Sequence, residues 1–104
     1  MKEPIDVTLD PEWPVAYVRY SHSESDGSLD LVRRADGFVR ECGWGDPENE
    51  HLGVHVEFGV HGDIIGIEIL DIDDPVEIEL AKDFAGQRDL AFPANIRAAA
   101  RVLA

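Results

Sequence analysis

Cysteine is almost missing from this chain. The single Cys42 excludes an internal disulfide and fits a reducing compartment. Long apolar runs are missing too: none approaches the roughly 20 residues that span a bilayer, so no membrane partner is expected. The first ten residues, MKEPIDVTLD, lack the apolar core of a signal peptide, and a cytoplasmic location is expected. Basic residues are scarce: nine Lys and Arg stand against 22 Asp and Glu, for a net charge of −13. That balance disfavours direct contact with a phosphate backbone, so no direct nucleic-acid partner is expected. No constellation of side chains names a reaction.

What is present reads as one small domain. The chain has 104 residues, 44% of them hydrophobic, enough for a single modest core and too many for wholesale disorder. The expected organisation is a single domain over 1–104, strand-rich over 1–72 and helical over 75–104. The charge is uneven. Residues 1–40 carry five basic and eight acidic side chains; residues 41–89 carry two and fourteen, a net −12.

The strongest pattern is Gly53 to Asp71, GVHVEFGVHGDIIGIEILD. Val54, Val56 and Phe58 alternate with polar residues, a turn centres on His61-Gly62, and Ile65, Ile67 and Ile69 alternate again. That is a β-hairpin with one buried face. The pattern allows two registers, because both put the same apolar residues on one face. A two-residue loop sets His55 opposite Glu68; a four-residue loop sets it opposite Gly66. The longer loop is preferred, with Gly62 in the left-handed position. Upstream, Ile5 to Leu9 and Val15 to Ser21 read as strands separated by the proline-broken turn Asp10 to Pro14. Ser21 to Ser28 reads as a polar turn, and Leu29 to Arg34 with Phe38 to Trp44 as a further hairpin about Ala35-Asp36-Gly37. Downstream, Val76 to Ala85 alternates like a strand but also places Val76, Leu80 and Phe84 on one helical face. Helix is preferred, with Asp74 as cap, Pro75 in the first turn, Glu77 at capping-box spacing and Gly86 as its end. Pro93 to Leu103 reads as a second helix with an apolar stripe of Ile96, Ala99, Ala100 and Leu103. The expected fold is α+β: an antiparallel β-meander of five or six strands with two C-terminal helices packed on one face.

Two blocks of this pattern, Asp10-Pro11-Glu12 with AYVRYS at 16–21 and the hairpin at 53–71, resemble the small bacterial family called domain of unknown function 2283. Its members open on a DPEADALYIRLS-like segment and carry a GVxLDYDxDGRVVGIEILDAS-like hairpin. The blocks cover about a third of the chain. The segment between them, His22 to Leu52, is about twice as long as is typical there, and Gly59 and His61 replace the usual acids. The resemblance implies an antiparallel meander and carries no activity with it.

Site candidates are few. His55, Glu57 and Glu68 share the hairpin's polar face and are the catalytic candidates; the plain alternative is that His55 and His61 are solvent-facing sheet and turn residues. His51 and His55 lie about 13 Å apart along a strand, too far to share an ion. Asp71, Asp73, Asp74, Glu77 and Glu79 lack the spacing of a calcium loop; capping and a solvated face account for them. No metal and no cofactor is expected. Cys42 beside Arg40 has no fixed histidine partner and reads as a packed or idle thiol. Trp44, between Gly43 and Gly45, is a candidate contact anchor or a lid packed on the sheet, whereas Trp13 reads as a packing residue at the sheet's end. Either Tyr17 with Arg19 or Val18 with Tyr20 faces away from the core.

The leading functional expectation is a non-enzymatic acidic module that binds a basic protein, antitoxin-like or nucleic-acid-mimic-like, through Trp44, Asp46, Glu48, Glu50, Asp73 and Asp74. The alternative is a small enzyme or small-molecule-binding protein whose site lies on the sheet face around His55, Glu57 and Glu68 under the 43–50 loop. A homodimer is compatible with both.

Overall fold

The computed structural model describes residues 1–32 and 53–103. They form β1 (Asp6–Leu9), β2 (Ala16–Arg19), β3 (Ser25–Leu31), β4 (Val54–Gly59), β5 (Ile64–Ile69), α1 (Pro75–Gln87), α2 (Ile96–Ala99) and β6 (Arg101–Val102). The six strands make one sheet in the order β3-β4-β5-β2-β1-β6. All pairings are antiparallel except that of β6 with β1. The fold is α+β as expected, but two details of the expected plan change. The sheet is not a simple meander, because β2 pairs with β5 and not with β3. The second helix is a single turn, after which Arg101 and Val102 lie beside Thr8 and Leu9 as a parallel edge strand. Ala100 is extended at the helix end, and Leu103 N donates to Leu9 O, so the open edge of β1 takes the backbone that a longer helix would have kept for itself. The 75–104 region is therefore not wholly helical.

Period-two alternation sets the core. Val7, Leu9, Ala16, Val18, Val54, Val56, Ile67 and Ile69 line one face and are buried. Leu80, Ala81 and Ala85 of α1 and Ile96 of α2 pack onto that face in the same cluster. Tyr20 belongs to it as well, and its hydroxyl donates to Ala91 O at 2.7 Å; burial pushes the phenol up to about 12. Tyr17 and Arg19 thus take the other face.

The central hairpin follows neither simple register. Gly59 N donates to Asp63 O and Gly62 N to Gly59 O, with Gly62 at φ +82°, so the loop is Val60-His61-Gly62 and the glycine does hold the left-handed position. A bulge between Glu57 and Phe58 then shifts the pairing by one residue. Beyond it His55 lies opposite Glu68, not Gly66. The extra residue also changes what packs inward at the hairpin's end: Ile64, opposite Phe58, packs against the core cluster, while Ile65 is buried outside it, a shift that strict alternation does not foresee. β3 also begins earlier than expected, at Ser25, inside the stretch read as a polar turn. The expected hairpin partner Phe38 to Trp44 lies outside the described residues.

α1 is capped by Asp74, whose side chain accepts from Val76 N, and Pro75 opens it. Its buried face is Glu77, Leu80, Ala81 and Ala85; Val76 is half exposed. The inward stripe is therefore displaced by one residue from the expected Val76, Leu80, Phe84. Gly86 lies inside the helix, which runs on to Gln87.

Candidate functional site

The outward face of the sheet gathers polar side chains from strands distant in sequence. Pairing of β2 with β5 sets Tyr17 opposite Glu68, and pairing of β4 with β5 sets His55 opposite Glu68 and Glu57 opposite Gly66. The three sequence candidates His55, Glu57 and Glu68 do come together, on adjacent strands of one face. His55 is buried, not solvent-facing, and its Nδ1 lies 3.9 Å from Glu68 Oε1. His61 is exposed in the turn, as the plain alternative has it.

Tyr17 organises this face. Its hydroxyl donates to Glu57 Oε1 at 2.6 Å, and Ser25 Oγ donates to Glu57 Oε2 at 3.1 Å. Both carboxylate oxygens are therefore accepting, which holds Glu57 in one place. Burial, and then the bond to Glu57, raises the Tyr17 phenol above its usual range, so it stays a donor throughout neutral pH. The ring lies so close over Gly66 that a Cβ there would overlap it. The Arg19 guanidinium sits 5.2 Å from the ring centroid and donates to Ser21 O. The result is a fixed donor–acceptor patch: a phenol, a doubly bonded carboxylate, a buried imidazole and a second carboxylate.

The pairing of Glu57 with Tyr17 and Ser25 is not legible in the sequence. Their signal was the alternation of Tyr17 with Val18; what was missing was the β2–β5 pairing, which no local pattern specifies. Trp13 is not the packing residue that its place between Glu12 and Pro14 suggests. The structure leaves Trp13 two-thirds exposed, in a turn held by Asp10 Oδ1, which accepts from Glu12 N and Trp13 N. Two prolines and the Asp10 bonds fix that turn without needing the indole.

The candidate partner-binding residues divide. Trp44, Asp46, Glu48 and Glu50 lie outside the described residues. Asp73 is exposed and accepts from Arg97 Nη2 at 2.7 Å, and Asp74 caps α1. Glu77 departs from the capping box. It is buried, and its Oε1 accepts from Asp71 N at 3.1 Å, against Gly53 where β4 begins. Burial pushes this carboxyl up to about 7, with Asp74 and Asp71 adding repulsion. Among the described residues no group of three or more His, Cys, Asp or Glu is arranged to hold a metal ion, and no helix is long and apolar enough to cross a membrane.

No family model, curated protein or solved structure matches the chain.

Proposed function

We propose that this chain is a non-enzymatic module that binds a basic protein partner through its acidic surface, in the manner of an antitoxin or a nucleic-acid mimic. The net charge of −13 carries the reading. Glu12 between β1 and β2, Glu24 just before β3, and Glu79 and Asp83 on α1 are all exposed, so the field extends over the surface and is not confined to one ion-paired cluster. Glu57 has both oxygens engaged in holding Tyr17 and Ser25, which suits a fixed acceptor better than a proton carrier. The test is capture on the immobilised chain from a cell lysate at low salt, with identification of what elutes as salt is raised. Basic proteins released by salt are expected. Retention that ignores salt, or a retained set with no basic members, would defeat the proposal.

One observation favours a second reading, a small enzyme or small-molecule site on the sheet face. His55 is buried beside Glu68, with Glu57 on the neighbouring register position. Small molecules extracted from the captured chain, lost in His55→Gln while protein capture is unchanged, would support this second reading over the first.

A further inference from the structure

A groove runs along the outer side of the first turns of α1. Ile72, Pro75 and Ile78 supply its apolar lining, and Asp73, Glu79 and Asp83 its carboxylates. Lys82 also lines it, and Asp73 is paired with Arg97, so Glu79 and Asp83 carry most of the groove's negative potential. Along α1 the lining runs from Pro75 to Asp83, a rise of about 12 Å. Ile72 N donates to Pro14 O at 2.9 Å, which ties the Asp10–Val15 turn to a groove-lining residue, and Trp13, next to Pro14 in that turn, is exposed. An apolar lining flanked by carboxylates, joined to a turn that carries an exposed tryptophan, is a combination that a plainly solvated helix face does not have.

We propose that this groove is where the basic partner docks, and that its occupant is a cationic amphipathic segment. Apolar side chains of that segment would sit on Ile72 and Ile78 while Lys or Arg side chains face Glu79 and Asp83. This rests on the reading of the chain as a module for a basic partner. Charge complementarity selects the occupant: a second copy of a chain at −13 would meet like charge on this wall. An uncharged apolar segment would leave Glu79 and Asp83 with only Lys82 as a neighbouring cation in the lining.

The probe is a synthetic peptide of lysines and leucines spaced to form an amphipathic helix, beside a control with serine for every leucine. Affinities are measured by titration calorimetry at low salt. The double variant Glu79→Lys, Asp83→Lys is expected to weaken the lysine–leucine peptide by about tenfold or more. Glu3→Lys, Glu24→Lys, the same charge change on exposed residues that do not line the groove, is expected to weaken it by less than about threefold. Trp13→Ser should weaken the leucine peptide and leave the serine peptide unchanged. Circular dichroism and thermal melting confirm that each variant is folded; all five positions are exposed. Equal losses in the two double variants would overturn the groove while leaving the acidic-module reading intact. Failure of both cationic peptides to bind the unmodified chain would overturn both readings.

Discussion

Gly66 and Tyr17 show how one small residue organises a face. The ring of Tyr17 occupies the space a side chain at 66 would need, and from there its hydroxyl reaches Glu57. Gly66→Ala is expected to destabilise the chain by about 1–3 kcal/mol, because the ring must leave its bond to make room. In a Tyr17→Ala background the same change should cost less, with a coupling above about 0.5 kcal/mol in a denaturant double-mutant cycle. Additive losses would mean the ring does not need that space. The two faces of β5 should also separate cleanly. Ile67 is fully buried, so Ile67→Ala is expected to cost about 2–5 kcal/mol. Glu68, a third exposed at its side chain, should lose less than about 1 kcal/mol as alanine. Both are read by denaturant unfolding, and equal losses would contradict the facing described.

Elements add the problem of where a helix places its polar residues. Glu77 sits in the buried stripe of α1 and accepts from Asp71 N across the junction of β5 and the helix. Its carboxyl is raised from 4.5 to about 7 by burial. The folded state therefore binds this proton more tightly than the unfolded chain does. The group's favourable contribution is complete below about 4.5, is lost as pH rises through 7, and changes little above that. On the order of 2–3 kcal/mol is at stake between those limits. Glu77→Gln keeps an oxygen for Asp71 N and removes the titration. The difference in unfolding free energy between the two proteins should thus change between pH 5 and pH 8, with the unmodified chain losing ground as pH rises. A difference that is flat with pH would show that this carboxyl is not held out of water. Much at this scale was legible in advance. Asp74 and Pro75 mark the start of α1, and the alternation in 53–71 names the inward residues of β4 and β5. The phase of the helix was less so: Val76 looks like the core residue and Glu77 like a cap, yet one residue of rotation exchanges them. Single-sequence patterns rank side chains by polarity, and a buried carboxyl held by backbone N–H groups is what that ranking misses.

For the whole molecule, long-range pairing decides what local pattern cannot. β2 joins β5, and β6 closes the other edge against β1; neither follows from periodicity, since each depends on which backbone edge is left open once the hairpins have formed. That pairing also assembles the outward face, so His55, Glu57 and Glu68 were legible as residues while Tyr17 and Ser25 were not. The charge was readable from composition, and it underlies the functional proposal. Its most direct test is the dissociation constant of a captured basic partner, followed by titration calorimetry across a salt series. The screening length falls from about 10 Å at 0.1 M to about 3 Å at 1 M. Affinity is predicted to fall steeply and continuously over that range. A dissociation constant that stays level from low to high salt would contradict the claim that the acidic surface holds the partner.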